Sequence, residues 1–502
     1  MIEGILIGLS TALSFTNILM VMVGCFAGTI IGMLPGLGPM TAIALMIPIT
    51  YGFDPSTGLI LMAGVYYGAV FGGSTSSILL NAPGIPGTVA TAFDGYPMAQ
   101  QGKAGKALAI AAYSSFAGGT ISAIFLLIAA PSLSKVSLAF RSPDYFALMI
   151  LGLTAISAFS SKGQFLKAMM MVVLGLMLAT VGQDSLSDIT RFTFNNMNLT
   201  DGISFVLIVM ATFAMSEALT IIFRGKDPNR AAKQISLTEL GSIKVNKEET
   251  IKMAKTIPRS SILGFLIGVL PGAGATIASF LAYGMERNYV NEEEKQKFGK
   301  GSIHGLSAPE TANNAACSGS FVPLLTLGIP GSGTTAVMLG ALLGFGIQPG
   351  PRLYQTNPEI FWSVIMSMYI GMVVLLILNL PLIPYIARIL AVPRNYLIPL
   401  ILFFSVTGIY LMSFNNFDIF LMIGIAVVAT ILRLYDFPMP PLILAFVLGG
   451  LMEETLRRSL LISDGSPNFL WDRPITLIIL IITIVIIFWQ VFSTFRKKTK
   501  LI

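Results

Sequence analysis

Residues 28–39 read GTIIGMLPGLGP, and residues 264–275 read GFLIGVLPGAGA. Gly28, Gly32, Leu34, Pro35, Gly36 and Gly38 fall on Gly264, Gly268, Leu270, Pro271, Gly272 and Gly274 at a constant shift of 236 residues. Each copy is an apolar run cut by a Pro-Gly-x-Gly step. Proline lacks a backbone donor and glycine leaves the helix readily, so the step ends a helix and frees backbone groups. In lipid each unsatisfied group costs several kcal/mol, so such breaks survive only inside protein or beside a wet cavity. The steps therefore predict tips of broken helices or re-entrant hairpins. The plainer alternative is a kink for close helix packing; the duplication argues against it.

A second motif also recurs. FGGSTSSILLNAPGIPGT (71–88) resembles CSGSFVPLLTLGIPGSGTT (317–335). Matching motif to motif puts Ser74, Ser76, Gly84, Ile85, Pro86 and Gly87 on Ser318, Ser320, Gly328, Ile329, Pro330 and Gly331, a shift of 244. The eight extra residues of the second copy are assigned to the charged stretch 286–300. Two motif pairs in the same order predict an internal repeat. GIPGSGTT also has the outline of a phosphate-binding loop, but Thr334 stands where that loop needs lysine, and the flanks are apolar.

Working outward, the 502 residues are 54% hydrophobic and 11% charged, with mean hydropathy +0.80. Soluble domains carry about 25% charged residues, so this is an all-α polytopic membrane protein. The net charge of +7 is a matter of topology, and no basic, aromatic-interleaved face points to nucleic acid. Cys25 and Cys317 lie among apolar or small residues and read as packing residues, and His304 alone cannot build a histidine metal site. No metalloprotease or nucleophile-elbow motif is present, which disfavours an intramembrane enzyme. The N-terminus has no basic residue in its first segment, so no cleaved leader is expected.

Candidate spans are 17–36, 57–80, 107–131, 143–160, 165–182, 203–223, 259–282, 306–327, 333–348, 359–380, 395–413, 416–434, 437–452 and 475–494. Residues 2–14 and 40–50 are shorter. About 11–13 crossings are expected. The connection 224–259 carries nine basic residues against four acids, and Arg496, Lys497, Lys498 and Lys500 follow the last span. Both are expected to be cytoplasmic. The first repeat begins after a terminus without basic residues and the second after the basic loop, which favours opposite orientations, an inverted repeat. The expected units are 1–223 (first repeat and following helices), 224–258 (basic loop), 259–452 (second repeat and following helices) and 453–502 (last helix and tail).

Glycine lets a ligand approach the backbone, hydroxyls supply neutral donors, and a restarting helix offers free N–H groups and a positive dipole end. Such an arrangement binds a carboxylate. The candidate substrate-binding residues are Gly36, Gly38, Gly272 and Gly274 at the tips. In the first loop they are Ser74, Thr75, Ser76, Gly84, Gly87 and Thr88; in the second, Ser318, Ser320, Gly328, Gly331, Ser332 and Thr334. The competing reading of the hydroxyls is helix–helix hydrogen bonding. Asn81, Asn313 and Asn314 offer carbonyl oxygens for Na⁺. Glu310 is either an ion-binding carboxylate or a helix cap after Pro309. Glu217 snorkels or pairs with Arg224, and Asp54, Asp94 and Asp144 read as turn residues.

At these residues the chain resembles the TctA family, the large membrane subunit of the tripartite tricarboxylate transporters. The resemblance is carried by GMLPGLGPMTAIALMIP (32–48), YYGAVFGGSTSSILLNAPGIPGTVATAFDGYPMAQQGKAGKAL (66–108), GVLPGAGATIASFLAY (268–283), HGLSAPETANNAACSGSFVPLLTLGIPGSGTTAVMLGALLGFGIQPGP (304–351) and the step Arg352–Tyr354. It implies a small TctB-like membrane subunit of about four spans and a periplasmic TctC-like solute-binding protein as partners. It also implies secondary import of di- or tricarboxylates such as citrate across the bacterial inner membrane, coupled to Na⁺ or H⁺, by an elevator-type movement. A channel or a non-transporting scaffold subunit is the alternative from another class.

Overall fold

The computed structural model describes residues 1–34, 37–137, 139–158, 164–184, 188–224, 241–272, 274–386 and 394–498. Gly36, residues 225–240 of the basic loop and Lys500 lie outside the described residues. The chain opens with α1 (Ile2–Ala12), α2 (Phe15–Met33), α3 (Gly38–Thr50) and α4 (Pro55–Leu80). Then come α5 (Val89–Met98), α6 (Ala104–Ser137), α7 (Ser142–Ala158) and α8 (Phe165–Ala179). A short antiparallel hairpin pairs Gly182 with Arg191. It leads to α9 (Phe205–Val209), a π-helical turn (Met210–Met215) and α10 (Ser216–Arg224). Next are α11 (Lys247–Val269), α12 (Gly274–Tyr289), α13 (Glu292–Lys295), α14 (Ile303–Gly319), α15 (Phe321–Leu327) and α16 (Gly333–Gly344). The chain finishes with α17 (Leu353–Thr356), α18 (Pro358–Asn379), α19 (Ile383–Ile386), α20 (Arg394–Ser413), α21 (Asn416–Leu434), α22 (Pro440–Ile462) and α23 (Pro474–Lys498).

Six helices among the described residues are long and apolar enough to cross a bilayer, and six more apolar helices run 10–17 residues. The Gly/Pro steps bound two of the shorter ones, α3 and α16. The apolar run 259–282 is not one span: α11 ends at Val269, Leu270 is extended (φ −77°, ψ 120°), and α12 restarts at Gly274. The first copy does the same, with Leu34 extended (φ −82°, ψ 111°) between α2 and α3. Both steps break helices, as their composition predicts. α4 and α14 are buried along nearly their whole lengths and form the centre of the molecule.

The two halves share their packing in detail. A Cβ on Gly32 of α2 would sit 2.1 Å from the Ala69 carbonyl of α4. One on Gly268 of α11 would sit 2.3 Å from the Ala316 carbonyl of α14. The shifts are 236 on the first helix of each pair and 247 on the second. The same 247 relates the residues that end α4 and α15 in the left-handed conformation, Asn81 (φ 50°) and Gly328 (φ 69°). It also relates Gly84, packed on Gly32 and Gly73, to Gly331, packed on Gly268 and Ser320.

This corrects the motif-to-motif register of 244. The structural partner of the first GIPG (84–87) is GSGT, Gly331–Thr334, while the second GIPG (328–331) matches Asn81–Gly84. The hydroxyl clusters are therefore not equivalent: Ser74 corresponds to Phe321, and Ser318 to Phe71. What recurs is a left-handed helix end followed by Pro-Gly, which asparagine or glycine can start because both tolerate positive φ.

Two acidic side chains differ from their reading as turns. Asp94 lies within α5, buried, and accepts from the N–H groups of Gly301 (2.9 Å) and Ser302 (2.7 Å) ahead of α14. Asp144 lies in the first turn of α7, buried and paired with Arg473 at 2.8 Å. Asp54 does stand at a boundary, the N-cap of α4.

Candidate functional site

The two halves meet along α14, which packs on α6, α5 and α4, and each central helix touches the other half's loop. On α14, the Asn313 side chain packs on the first loop: a Cβ at Gly87 would lie 2.6 Å from its Oδ1. On α4, the Tyr66 hydroxyl lies 3.4 Å from Ser332 Oγ of the second loop. Tyr66 and Asn313 are related by the same shift of 247. The Tyr67 hydroxyl donates to Ser318 Oγ at 3.4 Å. Within the second half, the Gly272 N–H at the helix break donates to the Gly331 carbonyl at 3.0 Å, locking tip to loop.

Asn313 and Asn314 are completely buried. Neither polar atom of the Asn313 amide has a hydrogen-bond partner among the described residues, nor does Asn314 Oδ1. Each buried unpaired group costs about 1–3 kcal/mol, so this is an expensive place to keep two amides. Glu310, one turn earlier, is also fully buried in mid-helix, which removes the reading of it as an interfacial cap.

Beside the first loop lies a cavity of about 600 Å³. Its walls are the start of α3 (Leu37–Thr41), the loop Pro83–Pro86, Phe213, Glu217, Arg433 and the stretch Phe437–Pro440. Gly333 of the second loop packs on Met40 and Pro440 of that wall. Gly38 begins α3 in the left-handed conformation (φ 59°), so the free N–H groups of the helix start border the space. Arg433, at the end of α21, pairs with Glu217 of α10 and donates from Nη2 to the Thr212 carbonyl at 2.9 Å. Thr212 belongs to the π-helical turn, and such a turn leaves carbonyls available to outside donors. Glu217 thus pairs with Arg433; the side chain of Arg224, the partner read from the sequence, lies outside the described residues. Sequence reasoning missed Arg433 altogether. The available signal was the charge itself at the end of a 19-residue apolar helix.

The sequence-derived residues divide accordingly. Gly38 and Gly84 line the cavity. Gly87 faces Asn313, and Ser74 donates to Glu310. Thr75 is buried and lines a small void beside Ser74. Ser76 donates to the Gly73 carbonyl, and Thr88 bonds Ser77 and the same carbonyl, so both brace the loop. Ser320 donates to the Cys317 carbonyl. Ser332 caps α16 in a capping box with Thr335, and Thr334 is buried in that first turn. Gly272, Gly274, Gly328 and Gly331 shape the second tip and loop. Asn81 is exposed and ends α4, unlike the buried Asn313 and Asn314.

Broken helices, a polar centre and a cavity ending on helix starts and a cation are features that solute transporters share. The chain belongs to the tripartite tricarboxylate transporter TctA family, whose model matches residues 18–444. It is 42% identical over 498 residues to the "Uncharacterized 52.8 kDa protein in TAR-I ttuC' 3'region" of Agrobacterium vitis, covering 99% of this chain and 98% of that one. It is 40% identical over 235 residues to the "Uncharacterized protein in TAR-II ttuC' 3'region" of the same organism, covering 47% of this chain and 96% of that one. No solved structure matches the chain.

Proposed function

We propose that the protein is the large membrane subunit of a secondary transporter that imports a di- or tricarboxylate, citrate-like in chemistry, on a cation gradient. The observation that carries this is the 600 Å³ cavity with Arg433 and the start of α3 on its wall. Its volume lies in the range of about 300–1,000 Å³ usual for small-molecule sites. Arg433 supplies a planar fork for one carboxylate, and the N–H groups at Gly38 a dipole end for another. The unpaired amide oxygens of Asn313 and Asn314 are the groups offered to Na⁺, with H⁺ as the alternative coupling ion. The matched packing of the halves, with Tyr66 and Asn313 each reaching across, supports an inverted repeat that moves elevator-fashion.

In this reading a small TctB-like subunit and a periplasmic TctC-like binding protein complete the system. The chain sits in the inner membrane with the basic loop and C-terminus cytoplasmic. The test is reconstitution with both partners, using the carboxylate that the binding protein retains in a thermal-shift panel including citrate. Saturable, gradient-driven uptake that stops without the binding protein is expected. Passive flux indifferent to the binding protein would favour a channel instead.

A further inference from the structure

Glu310 sits where α4, α5, α6 and α14 come together, with no exposed surface. Its carboxyl is held by three hydroxyls from three different helices. Ser74 Oγ lies 2.8 Å from Oε1 and 2.7 Å from Oε2. Ser115 Oγ lies 2.7 Å from Oε2, and Thr91 Oγ1 bonds Oε1. Among the described residues no Lys, Arg or His bonds to it.

The acidic groups and several basic and phenolic groups on the surrounding elements are engaged elsewhere. On α5, Asp94 binds the Gly301 and Ser302 amides and the Tyr283 hydroxyl of α12. Glu286 of α12 binds Arg259 of α11 and His304 of α14. Lys106 of α6 binds Glu249, and Lys252 of α11 binds Glu248 and Glu294. On α4, Tyr67 binds Ser318 and Tyr66 approaches Ser332.

A buried carboxylate without a cation is costly, yet a neutral carboxyl needs someone to accept its proton. A hydroxyl does either job, because it both donates and accepts. This cage therefore serves both forms with only hydroxyl rotation. An arginine or lysine in the same place would hold the charged form alone.

A void of about 10 Å³, the space of one water, adjoins the cage. It is bordered by Ser74, Thr75, Ser115 and Asn379. Asn379 is 5% exposed, and its Oδ1 has no partner among the described residues. It stands at the end of α18, just before exposed Pro381 and Leu382. Hydroxyl, void and amide thus lead from Glu310 toward the surface.

We propose that Glu310 is a proton-carrying carboxyl that loads and unloads through Ser74, Ser115 and the void capped by Asn379. The proton comes from water and returns to water; the carboxyl O–H bond forms and breaks, and no other group changes. That this proton is the coupling ion rests on the transport reading above, whereas the protonation itself does not.

The test is infrared difference spectroscopy of the purified full-length chain in detergent, titrated with pH in potassium buffer. A carbonyl band of a protonated carboxyl is expected, absent in Glu310→Gln and kept in Asp94→Asn. In Ser115→Ala the band should move to higher frequency, since the carbonyl group loses a donor. Identical spectra in wild type and Glu310→Gln would overturn the proposal. So would loss of the band on adding NaCl at constant pH, which would make this a cation site. In the reconstituted system, Glu310→Gln should lose proton-driven uptake but keep carboxylate counterflow. If wild type shows the band and no carboxylate uptake, the transport reading fails and the proton site stands.

Discussion

Arg433→Gln is expected to lower carboxylate uptake by a factor of about 10–100. A charge-assisted hydrogen bond contributes roughly 1.5–3 kcal/mol, and each 1.4 kcal/mol is about a factor of ten. The substitution also removes the Arg433 guanidinium from Glu217, whose side chain is only 14% exposed. Breaking such a pair from one side costs about 3–5 kcal/mol, so reduced accumulation would confuse the result. The double variant Arg433→Gln/Glu217→Gln separates the two effects. It removes both charges of the pair and should restore accumulation in the membrane fraction, while uptake stays lost. If the double variant recovers uptake as well, Arg433 is a structural partner of Glu217 and the cavity needs another anion anchor.

The helix breaks were legible because their cause is local. Pro and Gly in LPGLG and LPGAG terminate a helix whatever surrounds them, and α2 and α11 end where the sequence says. The register of the second loop was not legible. Identical letters aligned GIPG with GIPG, but the fold repeats a left-handed helix end, and Asn81 and Gly328 satisfy that equally. Conformation recurred where identity did not.

The cavity's charge pair was hidden for a different reason. Glu217 and Arg433 lie 216 residues apart, and only tertiary packing brings them together. Glu310 was visible as an ion-binding carboxylate or a helix cap, whereas its burial and its three donors on three helices were not. Asp94 misled because Gly95 and Pro97 imitate a turn, while α5 continues to Met98.

The two loop glycines before and after Ile85–Pro86 are expected to fail differently. A methyl on Gly84 would sit 1.9 Å from the Gly32 carbonyl and 2.9 Å from the Gly73 Cα. Backbone cannot yield there without parting α2 from α4, so Gly84→Ala should reach or exceed the usual ~1–3 kcal/mol of overpacking. The expected result is little protein in the membrane fraction. A methyl on Gly87 meets only the Asn313 side chain, at 2.6 Å from Oδ1. Gly87→Ala should therefore accumulate normally and lose uptake, on the order of tenfold or more, because Asn313 is displaced.

Asn313→Ala tells whether that displacement matters for function. It deletes two buried atoms without hydrogen-bond partners, so the purified chain should unfold at the same or higher temperature. Functional groups often carry such a stability cost. Uptake should nonetheless be lost, and the Gly87→Ala/Asn313→Ala double variant should stay inactive despite its relieved packing. If the double variant transports like wild type, Asn313 merely fills space against the loop. The amide would then have no part in holding an ion or a carboxylate.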